Sequence, residues 1–340
     1  MASIPIPDNL AADIAGDDKH AERRAWLAHL PATVADLSER WALQVGDPYS
    51  PGGSCSWVAP ARLGGAREGL DQAPDAVLKI AWVHDEALHE ADGLRTWNGA
   101  GAVRLLAECR LGPTHALLLE RCVPGTALAE LKTEYSQDEI VAGLLQRLWI
   151  EPAAGASRPE ADGRGNVEAS GDTRSWRPIG GAFRALEEMC DRWADGFEGA
   201  WERSASEPGA RGVRDPGLAW EGAALFRELP RTSARRVLLC TDLHAGNVLA
   251  AEREPWLVID PKPYVGDPAY DVLQHMLNCP VRLGADPRGL VRRMAEVCGL
   301  DAERVEAWLL ARAVIESIEA PELAGVAQQL VTGTGRSTGP

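Results

Sequence analysis

Lysine is scarce in this chain. Its 340 residues hold four, Lys19, Lys79, Lys132 and Lys262, against 31 arginines. A lysine kept inside an apolar strand, where arginine is otherwise the basic residue, therefore needs a reason. Long apolar runs are missing too. No stretch of the ~18 residues that a membrane span requires occurs, so no membrane partner is expected. The first residues are acidic and broken by Pro5 and Pro7. They lack the basic-then-apolar order of a secretory leader, so a cytoplasmic protein is expected. The seven cysteines include no Cys-x-x-Cys pair, which argues against a disulfide framework or zinc cluster and for reduced thiols. Basic excess is also absent. A formal net charge of −15 argues against a nucleic-acid partner, which would need a basic patch, and favours encounter with cationic small molecules. What remains is ordinary globular composition, 45% apolar and 25% charged, long enough for one large domain or two lobes.

Residues 1–20 read as a loose lead-in, followed by helical spacing over 22–36 that Pro31 interrupts. Trp41–Val45, Trp57–Ala59 and Ala76–Trp82 read as strands, the first two joined by the turn Pro51-Gly52-Gly53-Ser54-Cys55-Ser56, a hairpin signal. A helix is expected over 84–98, with Ala87, Leu88, Ala91 and Leu94 on its apolar stripe and Glu86 and Glu90 sharing the adjoining face. Strands over 103–106 and 116–119 precede a break at 120–125, taken as a connector. Helices then dominate: 127–131, 137–149, 182–201, 219–229, 269–277, 287–298 and 302–319, with a frayed tail over the last ten residues. Segments 151–177 and 204–217 are rich in Gly and Pro and read as loops, the first as a lid or a tolerated insertion. Strands first and helices after suggest an α+β protein with an N-lobe over 1–121 and a C-lobe over 122–340.

The densest chemistry lies at Cys240-Thr241-Asp242-Leu243-His244-Ala245-Gly246-Asn247-Val248-Leu249 and Trp256-Leu257-Val258-Ile259-Asp260-Pro261. Two short strands, 247–250 and 256–260, form a ribbon that is expected to bring Asn247 near Asp260. Amide and carboxylate oxygens are hard donors suited to Mg²⁺. Asp242 would lie beside the metal, ready to take a proton from a hydroxyl. Asp242 precedes Asn247 by five residues, and Asn247 precedes Asp260 by thirteen. These intervals match the catalytic Asp, Asn and later metal-binding Asp of the kinase fold.

With these residues, together with Asp260-Pro261-Lys262-Pro263-Tyr264-Val265-Gly266-Asp267-Pro268-Ala269-Tyr270-Asp271 and Leu118-Leu119-Glu120-Arg121, the chain resembles an aminoglycoside phosphotransferase. It is most similar to the streptomycin 6-phosphotransferase and hydroxyurea phosphotransferase branch, from about Trp41 to Asn278. It departs from the wider family at Cys240-Thr241, where His-Gly or His-Arg is frequent. Asp260-Pro261-Lys262 stands where protein kinases have Asp-Phe-Gly, and the loop 51–56 has only two glycines. The resemblance implies a bilobal protein-kinase-like fold and ATP with Mg²⁺ as cofactors. It assigns Asp242 as catalytic, Asn247 and Asp260 as metal ligands, and Lys79 to the α and β phosphates, paired with Glu90 or, second, Glu86. Gly52, Gly53 and Ser54 would offer backbone N–H groups to phosphate, and Glu120 to Cys122 backbone contacts to adenine. His244 would either steady the γ-phosphate or pin its loop. Asp267 and Asp271 follow the metal Asp, and Asp271 is expected to cap the next helix and brace the catalytic loop. Glu187, Glu188, Asp191 and Asp195 read as a solvated face rather than a substrate-attracting one. The implied acceptor is a hydroxyl of a cationic aminoglycoside such as streptomycin. Hydroxyurea or an amino-alcohol metabolite is the alternative acceptor. A kinase-like binding protein without turnover and a metal hydrolase are the rival classes.

Overall fold

The computed structural model describes residues 4–16, 21–64, 75–84, 88–151, 183–204 and 211–332. Glu86, Lys19 and the expected loop over 152–177 lie outside them. The chain runs through helices α1 (Asp8–Ala15) and α2 (Ala21–Arg40), strands β1 (Leu43–Val45), β2 (Ser56–Leu63) and β3 (Asp75–Trp82), helix α3 (Glu90–Trp97), then β4 (Leu105–Leu111) and β5 (Thr114–Glu120). Helices α4 (Leu128–Leu131), α5 (Glu134–Leu148), α6 (Leu186–Ser204) and α7 (Pro216–Glu228) follow, then β6 (Val237–Leu239), β7 (Val248–Ala250), β8 (Trp256–Val258) and β9 (Tyr264–Gly266). The rest is helical: α8 (Pro268–Asp271), α9 (Leu273–Leu277), α10 (Pro280–Ala285), α11 (Pro287–Cys298), α12 (Ala302–Glu316) and α13 (Leu323–Thr332). No described helix is long and apolar enough to cross a membrane.

Contacts divide the chain into two units, Met1–Glu130 with Leu249–Lys262, and Leu131–Val248 with Pro263–Pro340. In the first, five antiparallel strands order as β1-β2-β3-β5-β4. Side chains alternate across a strand. In β3 this sends Leu78 and Ile80 to one face, where they join Trp57, Ala59, Ala116 and Leu118 against Leu10, Ile14, Trp26, Leu30 and Leu37 of α1 and α2. Lys79 is left on the other face. Two expectations change here. The lead-in contains a helix, α1, whose only fully buried apolar residues are Leu10 and Ile14, too few to signal it in the sequence. Pro31 sits inside α2 without ending it; the burial of Trp26, Leu30, Val34 and Leu37 offsets the one lost backbone bond.

The second unit is mainly helical. Asp215, Asp267, Asp286 and Asp301 cap α7, α8, α11 and α12 by accepting backbone N–H bonds, which satisfies helix ends that have no internal partner. Its aromatic centre is Phe226, Tyr270 and Trp308, with Tyr270 and Trp308 rings edge-on at 5.0 Å. The helix expected over 269–277 is split between α8 and α9 at Val272. The sequence reading does not include helices α10 and α13; Leu323, Val326, Ala327 and Leu330 form the buried helical stripe of α13.

Candidate active site

The mid-strand lysine has its reason in the first unit. Lys79 Nζ donates to Glu90 Oε2 at 2.7 Å and Oε1 at 2.8 Å, and to Asp260 Oδ1 at 2.5 Å. The side chains of Lys79 and Glu90 are 9% and 3% exposed, that of Asp260 47%. Burial alone would push the Lys79 ammonium down, but Asp260 and Glu90 outweigh it and hold it above its usual value. One ammonium cannot hold two carboxylates equally low. Burial pushes Glu90 up against the pull of Lys79, whereas Lys79 overcomes the enclosure of Asp260 and keeps it low. Asp260 also has a left-handed backbone, φ +53°, which a short polar side chain tolerates better than most.

Asp260 reaches this place because its ribbon is stitched to the first unit. Ala250 N–H donates to Thr126 O and accepts Gly125 N–H at its own carbonyl, and Val258 does the same with Gly101 and Val103. At the ribbon's turn, Arg253 donates to both oxygens of Glu120 at 2.7 and 2.9 Å and to Gly99 O and Ala102 O. The Glu120 carboxylate is thus occupied and, despite partial burial, held low by Arg253. The Glu120 N–H goes to Arg104 O. Cys122, at the end of this segment, is buried, and burial with the nearby Glu120 charge pushes its thiol up to about 11.

The turn that carries Gly52, Gly53 and Ser54 is clamped by the N-terminal helices. Gly52 N–H donates to Asn9 Oδ1 at 2.8 Å and Gly52 O accepts from Asn9 Nδ2 at 2.7 Å. Arg23 Nη2 donates to Ser54 O at 2.5 Å. The Gly52 amide is therefore engaged. At Gly53 a Cβ would stand 2.6 Å from Ser56 Oγ, so any larger residue there would make that hydroxyl move. Neither Asn9 nor Arg23 carries a sequence signal, because each acts on a segment more than thirty residues away.

In the second unit Asp242, His244 and Asn247 share one loop after β6. Asn247 Nδ2 donates to the Asp242 carbonyl at 3.0 Å, which leaves its amide oxygen as the atom suited to a cation. His244 Nδ1 accepts Gly246 N–H at 3.1 Å, so the ring proton sits on Nε2 and the histidine pins its own turn. Thr241, just before Asp242, has φ +53°, a strained state for a β-branched residue. Asp271 holds it there. This fully buried carboxylate accepts Thr241 N–H at 2.6 Å, Cys240 N–H at 3.0 Å and Trp149 Nε1–H at 3.0 Å. The expected cap belongs instead to Asp267, which accepts Ala269 N–H and also binds Arg304 and Trp308; Asp271 supplies the brace.

Burial outweighs those donors and pushes Asp271 from 3.8 up to about 6. A carboxylate raised on folding favours the protonated native state, so its contribution is full below pH 4 and lost as pH rises through 6. Asp271→Asn should therefore destabilise most at low pH, and the gap to wild type should narrow by about 3 kcal/mol between pH 4 and 7. Urea unfolding across that range checks this. Turnover should fall by about ten- to a hundredfold as Thr241 relaxes and Asp242 moves.

Four acids of α6 pair with arginines: Asp191 with Arg231 at 2.6 Å, Asp195 and Glu198 with Arg227 at 2.5 Å, and Glu187 with Arg236. The face is solvated as expected, with Glu188 exposed and the Asp195 side chain 73% exposed, and it also carries these ion pairs.

With this geometry in hand, comparison is decisive. A model of the aminoglycoside/hydroxyurea antibiotic resistance kinases matches residues 40–160 and 168–322. The chain belongs to that family. The kinase is 34% identical over 321 residues to a streptomycin 6-kinase of Streptomyces glaucescens, covering 91% of this chain and 88% of that one. It is equally identical, over 296 residues, to a hydroxyurea phosphotransferase of Kitasatospora aureofaciens, covering 86% and 74%. A choline kinase of Streptococcus pneumoniae has the same fold, with a TM-score of 0.52 at 11% identity over 90% of this chain and 98% of that one. The α+β, protein-kinase-like class holds, and the enzyme is a phosphotransferase that acts on an alcohol group.

Proposed function

We propose that this kinase moves the γ-phosphate of ATP to a hydroxyl of a cationic, streptomycin-like aminoglycoside and so inactivates the antibiotic. The observation that carries the reading is the buried Lys79–Glu90 pair with half-exposed Asp260 beside it. An ammonium so placed has no structural need for two carboxylates. It is poised to exchange Asp260 for phosphate oxygens while Glu90 keeps its aim. Among the described residues no group of three or more His, Cys, Asp or Glu side chains suits a metal. Mg²⁺ is typically held by one or two protein oxygens and the nucleotide's phosphates; Asn247 and Asp260 would be those oxygens. When bound, the ion offsets the charge that develops on the transferring group. Asp242 orients the acceptor hydroxyl and takes its proton. His244, pinned through Nδ1, offers Nε2–H toward the γ-phosphate. Gly53 and Ser54, with Gly52 fixed behind them by Asn9, offer the turn's amides to phosphate, and the backbone from Glu120 to Cys122 meets adenine.

Hydroxyurea is the second reading, favoured by the equal identity to a hydroxyurea phosphotransferase. Incubating the purified protein with Mg·ATP and each acceptor, and reading product mass, separates the two. Streptomycin is expected to gain one phosphoryl group. Phosphorylation of hydroxyurea alone overturns the acceptor, and no product from any hydroxyl acceptor overturns the reading.

A further inference from the structure

Arg312 of α12 is buried, 5% exposed, and its guanidinium is gripped on most sides. Nε donates to Glu316 Oε1 at 2.7 Å and Nη2 to Gln274 Oε1 at 2.6 Å. The guanidinium carbon lies 5.3 Å from the Tyr270 ring centre and 5.7 Å from that of Trp193. Nη1 is equally buried and has no partner. A charged N–H left unpaired in the interior is costly, and such a group in a native fold asks for an explanation.

The surroundings point to a ligand. Trp193, Gln274 and Glu316, which hold the cation, are each partly open to solvent, as is Asp242. Asp242, in the same unit of the chain, also acts electrostatically on Arg312. Oε1 of Glu316 is committed to Arg312; Oε2 remains for a cation. The acids of α6 are not competitors, since arginines already hold Glu187, Asp191, Asp195 and Glu198.

We propose that Glu316, Gln274 and Trp193, anchored on Arg312, are the acceptor-recognition subsite of this kinase. Glu316 Oε2 and the Trp193 ring take a guanidinium or ammonium group of the acceptor, and Arg312 Nη1 donates to an oxygen of the same molecule. The acceptor class is a polyol that carries a cation close to the hydroxyl delivered to Asp242. Carboxylate and aromatic face together suit such a group. The assignment rests on the aminoglycoside reading above and names what recognises that substrate.

The test uses the full chain with streptomycin as probe. Glu316→Gln should raise the KM for streptomycin by about tenfold or more, the size of one charge-assisted contact, and leave the KM for ATP within about threefold. Arg312→Lys, which keeps the charge but not the fork, should raise it less than Arg312→Met. Glu316→Gln alters a partly exposed side chain and decides the matter even if an Arg312 variant does not fold. A streptomycin KM unmoved by Glu316→Gln, in an enzyme that phosphorylates streptomycin, overturns the subsite and leaves the kinase reading standing. An equal rise in both KM values marks a merely structural role and overturns it as well. A wild-type enzyme that phosphorylates no cationic acceptor overturns both proposals.

Discussion

Asp242→Asn is expected to lower phosphotransfer by about 10²–10⁴-fold while nucleotide affinity and thermal midpoint hardly change. The size follows from what the substitution removes. Asparagine keeps the shape of the side chain but cannot accept the hydroxyl proton. The path of the loop around it is set in part by backbone groups, with Thr241 N–H on Asp271 and the Asp242 carbonyl on Asn247 Nδ2. Asp242 itself is partly exposed. Steady-state turnover with Mg·ATP and acceptor, beside a thermal melt, checks both halves. Turnover at the wild-type level would remove the proposed base and with it the mechanism.

Lys79→Ala should behave differently, with loss of both stability and function. Breaking a buried pair by deleting one partner costs about 3–5 kcal/mol, because the remaining charge is left uncompensated. Here the charge left behind is Glu90, whose side chain is 3% exposed. Nucleotide binding measured by calorimetry should vanish with the ammonium. The double variant Lys79→Met with Glu90→Leu should recover most of the stability, since neither buried charge remains, and none of the activity. A Lys79→Ala protein that melts and binds ATP like wild type would mean that the pair is ornamental. A double variant no more stable than the single one would mean that packing, not charge, explains the loss.

These two substitutions also mark how far the sequence could be read. Lys79 stood out by scarcity and by its place in an apolar strand. Asp242, Asn247 and Asp260 stood out by their intervals. Both signals are local, carried by one strand or one loop. Most strands and helices were legible for the same reason, since periodicity is a property of neighbouring residues. Expectation and structure part where the signal depends on distant partners. The strand expected over 57–59 extends to Leu63 because β1 and β3 pair along it; of the helix expected over 84–98, Glu90–Trp97 is helical and 85–87 lie outside the described residues. Helix α1 has only two buried apolar residues of its own and is defined by the sheet it covers.

The residues that position the chemistry were the least legible. Arg253 ties the ribbon to Glu120, and Asn9 fixes Gly52. Arg312 collects Glu316, Gln274, Trp193 and Tyr270 around itself. In a chain with 31 arginines, nothing in the sequence separates Arg312 or Arg253 from those that merely sit on the surface.

By itself, then, the sequence determined the strand-first, helix-later order, the kinase-type intervals and the residue types proposed for the site, because these are written in residue type and short spacing. Only the tertiary structure decided that Asp260 groups with Lys79 and Glu90 through a ribbon stitched to the first unit, that the cap expected of Asp271 falls to Asp267, and that Glu187, Asp191, Asp195 and Glu198 pair with arginines. Hydrogen bonds and ion pairs between segments tens to hundreds of residues apart depend on which backbones meet, and no local pattern in the chain encodes that meeting.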